Sequence, residues 1–449
     1  MTTQRLRKFI IEDRRHIPPF NEPASELSFM GKRLKLHQTE LLDDYFGDRL
    51  APQVELPLDS VFSLPRNAGP CLVFRDSIYF DREYLDAFYR QARKLAHESG
   101  RAVRAAYAPD DRVFTTYVKP LTRSFEPLYG EDGSLLCYMT DLWYFPDGYT
   151  DEAVPLIIPT DPVEKGFYSV PHYMSQDGRD LTHFLSERVL FSVESWVHVY
   201  FANTVQGVFA RGSRYEEYAK RHNLFQLKVL WRAILEWKQV LSSSAVVKVG
   251  KGTEIHPEAT VLGPTTIGDN CYIGPGVLID NCHIGDNVTL DQGCQLMTSV
   301  IGSNCFFPFR ASAYFSVFMD NSILAQNTCV QMCVVGRNTF IGAGNTFTDF
   351  NLLPSPLKAM SLHGELEEVG QIVLGGCVGH NCRVGSGFII FPGRMIESDT
   401  VLAAEWSNRV IARNITYEQS MHHAMSREIA EKHLRYYPRL EEETEEETW

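Results

Sequence analysis

The run IGDNCYIGPGVLI, residues 267–279, decides the fold. An aliphatic residue recurs in it every six positions, at Ile267, Ile273 and Ile279, and each is followed within three residues by Gly or Asn. A period of six with one inward aliphatic side chain per unit is the pattern of hexapeptide solenoids, whose short parallel strands stack into a core that no single repeat could bury. Working outward, earlier units start at Val249, Ile255 and Val261. Five-residue units reset the phase at Ile284 and Ile301, then Val335, Ile341 and Phe347 continue it. A second block runs through Val373, Val378, Val384, Ile390 and Ile396. The expected architecture is an all-β left-handed parallel β-helix.

The fourth position of each unit supplies the mechanism. It is Gly252, Asn270, Gly276, Asn287, Gly293, Asn304, Asn338, Gly344, Gly376, Asn381, Gly387 or Gly393, the two residue types that enter left-handed backbone most cheaply. The chain is expected to turn a corner at each. The fifth position is small, and at Cys271, Cys294, Cys305, Cys333, Cys377 and Cys382 it is cysteine. Repetition at one structural position reads as stacked small hydrophobes rather than ligands or disulfides.

Bulk properties bound the rest. At 449 residues the chain should hold two or three domains. With 44% hydrophobic and 22% charged residues it reads as soluble and globular. No apolar run approaches the roughly 18 residues of a membrane span, and the start MTTQRLRKFIIEDRR lacks a signal-peptide core. Ten cysteines without framework spacing fit a reducing cytoplasm. A net charge of −13 argues against a nucleic-acid partner, and the tail EEETEEETW reads as a solvated end.

Residues 1 to about 240 carry no six-residue repeat, and the first 180 of them are expected to form one domain. The apolar run Cys71 to Phe74, the helical spacing of Tyr84, Leu85, Phe88, Ala92 and Leu95, and the run Ala102 to Tyr107 predict strand, helix and strand, hence an α/β domain. Helical periodicity through Trp196, Tyr215, Leu227 and Trp231 predicts a helical connector over residues 181–244. The β-helix follows over 245–405, with a loop excursion at 352–371. Residues 406–449 are expected to hold a C-terminal helix, Met421, Ala424, Met425 and Ile429 lying near one face, and the acidic tail.

The order α/β domain, connector, hexapeptide helix resembles the bifunctional uridylyltransferase/acetyltransferase family that makes UDP-N-acetylglucosamine, and related sugar-1-phosphate nucleotidyltransferases. The most specific piece is VVGRNTFIGAGNTFTDFN, residues 334–351, similar to that family's IGAGT run and its Asn-Tyr-Asp turn. Residues 314–323, YFSVFMDNSI, lie where the family has a phrase like FVEVKNS. The resemblance implies a degenerate nucleotidyltransferase-like N-terminal domain, a homotrimer, and a between-subunit cleft in which acetyl-CoA or another acyl-CoA acylates a sugar phosphate or nucleotide sugar. The departures are specific. Gln331 stands where the family has its histidine base, Met319 and Val317 replace the Lys and Glu of FVEVK, and no Gly-rich phosphate loop opens the chain.

Candidate chemistry follows from breaks in the pattern. Between Phe307 and Met332 the corner residues include Arg310, whose guanidinium could hold a phosphate or carboxylate, or could simply project into solvent. Gln331, Asp349 and Asn351 would orient the acceptor. His363, in the excursion, or His380 would serve as base; each could also be an ordinary turn histidine. With His256 and His283 they make no closely spaced ligand pair, so no metal is expected in the β-helix. In the N-terminal domain Lys32 and Arg33, after the turn-forming residues 18–23, could serve an anion, and Asp76 after its strand could hold Mg2+ if that domain is active. The rival reading is a non-catalytic oligomeric scaffold descended from such enzymes.

Overall fold

The computed structural model describes residues 5–52, 57–169, 181–351, 356–425 and 431–440. The chain forms two compact units: Met1–Arg15, Pro23–Leu27 and Lys32–Glu194; and His16–Glu22, Ser28–Gly31 and Ser195–Trp449.

The first unit is an α/β layer built on six strands: β1 (Arg7–Ile11), β2 (Cys71–Arg75), β3 (Ala102–Tyr107), β4 (Glu126–Tyr129), β5 (Leu135–Phe145) and β6 (Ala153–Ile157). Their order is β1-β2-β5-β3-β6, with β4 on β5. β1 is parallel to β2 and β6 to β3, while β5 runs antiparallel between the two pairs. Cys71, Leu72, Val73 and Phe74 are fully buried, as a strand covered on both faces requires. Helix α1 spans Leu34–Phe46 and α2 spans Arg82–Ser99. α2 buries one stripe, Tyr84, Leu85, Phe88, Ala92 and Ala96; Asp81 caps its start by accepting from the Tyr84 N–H at 2.8 Å, and left-handed Gly100 ends it.

The connector departs from expectation at its start. Leu181–Leu185 is a strand paired with Val163–Tyr168, and Leu190–Ser192 pairs with Ile78–Phe80. The residues His183 and Leu185 point inward two apart, and that period-two burial outcompetes the helical reading. Helices begin only at α3 (Trp196–Asn203), and continue through a π-helical stretch, Thr204–Phe209, into α4 (Ala210–Arg221) and α5 (Asn223–Glu236).

The rest of the second unit is a parallel β-solenoid of three eight-stranded sheets. Face A runs from Val247–Val249 to Met395–Ile396, face B from Glu254–Ile255 to Val401–Leu402, and face C from Thr260–Leu262 to Val410–Ile411. The six-residue phase is real: Ile267, Ile273, Ile279, Ile284, Leu290, Leu296 and Ile301 enter one core, which continues to Ile411. Phe307 and Ala313, breaks in the aliphatic pattern, are absorbed there. Phe307 packs edge-on against Phe318 at 4.9 Å, and small Ala311 and Ala313 sit buried in the same core. Val373 does not join the stack; it bridges to Phe350 at the return of the excursion.

The edge between faces A and B carries Asn270, Asn287, Asn304, Asn321, Asn338, Asn381 and Asp399, all with left-handed φ. Successive coils are stitched there by side chains. Asn287 Nδ2 donates to Asn304 Oδ1 and Asn304 Nδ2 to Asn321 Oδ1, both at 3.1 Å, and Asp286 and Asp320 accept backbone N–H groups from Asp269 and Ser303. The other two edges keep the conformation but not the residue type: Arg310 has φ +60°, Thr298 +47°, Phe315 +46° and Met332 +53°. Gly376, expected as a corner, does not have positive φ.

The outward side of face A is covered within its own unit. Val300, Val317, Val334 and Cys377 are buried though they point away from the solenoid core. Phe209 stacks edge-on against Phe315 at 5.4 Å, Arg211 donates to the carbonyls of Pro264 and Cys282, and the Tyr215 hydroxyl donates to Ala245 O. In the stretch expected as the C-terminal helix, described residues form two short 3-10 turns, Tyr417–Gln419 and Met421–Ala424; 426–430 and the acidic tail 441–449 lie outside the described residues. Residues 431–440 return to the last coils, where Asp399 accepts from the N–H groups of Tyr436 and Tyr437 and Arg439 Nε donates to Glu397 at 2.7 Å.

Candidate functional site

The edge between faces C and A is where the solenoid gives up its regularity. Its corners run Asn281, Thr298, Phe315 and Met332, and then the chain leaves the coil after Asp349 and rejoins at Cys377. The excursion contains a hairpin, Lys358–Met360 paired with Leu366–Glu368. The hairpin is fastened to the next coil by Arg394, whose Nη2 donates to Lys358 O at 2.9 Å and whose Nε donates to Pro392 O at 3.2 Å. Gly393 makes this approach possible. It has φ +67°, and a Cβ there would lie 2.3 Å from Lys358 O.

Between hairpin and solenoid lies a cavity of about 480 Å³, lined among others by Asn351, Lys358, Glu368, Phe391 and Arg394. That volume is within the range that holds small ligands. Arg394 is bonded to carbonyl oxygens, and burial lowers its pKa, so its charge has no carboxylate compensation among the described residues. Gln331 ends a strand of face C, and Thr348 and Phe391 are neighbours on the following two coils of that face. Asp349 follows at the corner, its O accepting from Leu374 N at 2.8 Å. Burial raises the Asp349 carboxyl pKa. Exposed Cys329 is beside it, its thiol raised by burial and by the Asp349 charge.

Gln331, Asp349 and Asn351 therefore share one edge. Arg310 does not belong with them: it is exposed at the B/C edge, in the column Gly293, Arg310, Asn327, Gly344. His363 is exposed at the hairpin tip and is not among the cavity lining. His380 cannot be a surface base. It is fully buried at the A/B edge, its Nδ1 accepts from Arg337 N at 2.8 Å, and its Nε2 is 3.0 Å from Glu22 Oε1. Burial lowers the His380 pKa. Burial pushes Glu22 upward, but its contacts with His380 and Arg337 more than offset this and leave it below the usual carboxylate range. Phe20 and Tyr437 close over the imidazole at 4.9 and 4.6 Å.

In the first unit, Lys32 pairs with Glu40, and Arg33 pairs with Glu26 at 2.8 Å, so both candidate cations are engaged by surface carboxylates. Asp76 does end β2, at the same end of the sheet as Asp13 after β1, where parallel sheets place ligands. Its carboxylate accepts from Asp13 N at 2.9 Å, and burial raises its pKa to about 6. Asp13 itself is taken by Arg15 and Ser77. Among the described residues no group of three His, Cys, Asp or Glu side chains is placed to hold a metal.

Sequence reasoning missed Arg394, Lys358 and Phe391. A signal existed for the first: the fifth position after each corner is uncharged elsewhere, and at 394 it is Arg.

The family model described as bacterial transferase hexapeptide (six repeats) matches residues 247–281. No curated protein matches the chain. Among solved structures, a mutant of AntD, an N-acyltransferase from Bacillus cereus in complex with dTDP and coenzyme A, is similar at 13% identity, covering 44% of this chain and 91% of that one, with a TM-score of 0.16. The polysialic acid O-acetyltransferase OatWY is similar at 17% identity, covering 38% and 80%, with a TM-score of 0.17. Neither bears on the chemistry of this chain. No helix of the described residues is long and apolar enough to cross a membrane.

Proposed function

We propose that the protein is an acyltransferase that moves an acyl group from a coenzyme A thioester to a hydroxyl or amine of a sugar phosphate or nucleotide sugar, at the C/A edge. The observation that carries this is the cavity of Asn351, Lys358, Phe391 and Arg394, formed where the solenoid is interrupted. Two cations beside an aromatic ring, against the single carboxylate of Glu368 across the hairpin from Lys358, suit a phosphorylated substrate. Asp349 is the base in this reading, because a carboxyl group raised by burial accepts a proton closer to neutral pH. It removes the proton of the acceptor as the acceptor attacks the thioester carbonyl, and the coenzyme leaves as its thiolate. Gln331, which cannot act as a base, and Asn351 offer amide N–H groups to the acceptor. The first unit is a divergent nucleotidyltransferase-like domain on this reading, and Mg2+ enters only if it is active.

The same reading makes the protein a homotrimer. Support comes from apolar side chains left outside: Tyr272, Phe306 and Phe340 project from face B, and α5 exposes Leu224, Leu227, Trp231 and Ile234 at the spacing of a coiled-coil seam. Light scattering of the purified chain should give three times the monomer mass, and Leu227→Glu with Trp231→Glu should lower it. A monomeric wild type would remove the oligomer from the proposal.

The activity is tested by release of free coenzyme A from acetyl-CoA with a panel of sugar phosphates and nucleotide sugars. Asp349→Asn should lower kcat about 100-fold, the scale of general-base catalysis. Arg394→Met should raise KM for acetyl-CoA about tenfold and leave kcat near wild type. Absence of turnover together with absence of acetyl-CoA binding by calorimetry would favour the scaffold reading, which Gln331 in place of a histidine base already supports.

A further inference from the structure

The first unit carries a basic groove that the acyl-transfer reading does not use. Along α2, beside the stripe that packs on the sheet, lie Arg82, Arg90, Arg93, Lys94 and His97; the end of α1 and the turn after it supply Tyr45 and Arg49. They line a groove of about 770 Å³ that contains none of the strand-end acids Asp13 and Asp76.

Five Arg and Lys side chains face two acids there, in a chain whose net charge is −13. Both acids are occupied. Asp86 pairs with Arg90 at 2.9 Å and accepts from the Tyr45 hydroxyl at 2.7 Å, and Glu98 is 4.0 Å from Lys94. Arg49, Arg82 and Arg93 have no carboxylate partner among the described residues; Arg49 donates instead to the carbonyls of Phe46 and Tyr45. The three guanidiniums are spread over two neighbouring rings. Arg49 and Arg82 each lie 5.8 Å from the Tyr45 centroid, Arg93 lies 5.5 Å from that of Tyr89, and the two rings are 6.2 Å apart. Stacking on an aromatic face fixes a guanidinium while leaving its N–H edge free to donate.

Uncompensated like charges held together in a concave wall repel one another and concentrate a positive field, and a multiply charged anion relieves both effects. We propose that this groove binds a small ligand carrying two or more linked phosphate groups. The guanidiniums of Arg82 and Arg93, with the N–H groups that Arg49 does not spend on carbonyls, exceed what one phosphate can engage, and Asp86 and Glu98 interrupt the continuous basic track that a nucleic acid would need. The polyphosphate is the shared chemistry of a free chain and a nucleotide, and the measurement separates them.

Calorimetry on the full chain with inorganic tripolyphosphate, ATP and orthophosphate provides the test. Tripolyphosphate should bind at least tenfold more tightly than orthophosphate. Equal binding of ATP would mean that the base is not recognised, and tighter binding would identify a nucleotide. Arg82→Ala with Arg93→Ala should weaken tripolyphosphate at least tenfold and leave the melting temperature unchanged, because both side chains are exposed. Arg101→Ala, which removes a cation paired with Glu152 outside the groove, should leave binding unchanged. The proposal is overturned if the double variant binds as wild type does, if orthophosphate binds equally well, if no heat is seen at millimolar ligand, or if a single-stranded oligonucleotide binds more tightly than tripolyphosphate.

Discussion

Two edges of one solenoid solve the same geometric problem differently. At the A/B edge the left-handed corner is given to Asn at coil after coil, and side-chain amides and carboxylates stitch the column. At the C/A edge the same backbone is imposed on Thr298, Phe315 and Met332, and the next coil breaks open into the hairpin and cavity. Packing of the coils above and below dictates the corner; residue type only sets its cost. The edge with well-suited residues is structural, and the edge where they are abandoned holds the candidate chemistry.

The comparison is broken most severely at the A/B edge. Glu22→Ala leaves buried His380 and part-buried Arg337 without their carboxylate, and denaturant unfolding should register a loss of about 3–5 kcal/mol. Asn304→Ala, which puts a Cβ without a side-chain amide into left-handed backbone and cuts two ladder hydrogen bonds, should cost about 1–2 kcal/mol in the same assay. At the B/C edge the sign reverses: Arg310→Asn should stabilise by about 1 kcal/mol and leave KM for acetyl-CoA unchanged. A raised KM there would return Arg310 to the site.

The smallest effect is one of pH. Unfolded His380 takes up a proton near its ordinary 6.5, while the buried folded form resists it, so the unfolded state binds more protons and stability falls on acidification below that value. Glu22, depressed in the fold, adds to the loss only as pH falls further, past its ordinary 4.5. Melting temperatures of wild type between pH 7.5 and 5.5 should decline, and His380→Gln should flatten the decline. An unchanged slope would assign the proton uptake elsewhere.

Much of this fold is legible because it is periodic. A six-residue repeat reports directly on which side chains face the core, and from Ile267 to Phe347 and again from Val378 to Ile396 the expected positions enter it, Val373 between them staying outside. Sites are less legible, since they depend on which edge a corner occupies, and edges are fixed by coil lengths rather than by local sequence. Arg310 and Arg394 show this. FPFR and FPGR look alike, yet Arg310 occupies the left-handed corner itself, whereas in the second motif Gly393 takes the corner and Arg394 falls one place later, against the hairpin. His380 misled for a related reason: its partner, Glu22, is 358 residues away in sequence, and no local pattern announces it. The strand at 181–185 was hidden by apolar spacing that fits either period.

The segment 16–22, which belongs to the solenoid's unit although its flanks belong to the other, has a bearing on biogenesis. Pro19 O accepts from Ser398 N, Asn21 donates to Glu397, and Glu22 meets His380. Their partners are synthesised 358 to 379 residues later. Coils can stack in order of synthesis, but segment 16–22 must wait, with Phe20 uncovered, until the coils that carry His380 and Ser398 exist to receive it. Closure of this unit therefore depends on residues 380–398, and a chain cut before residue 380 leaves segment 16–22 without its seat.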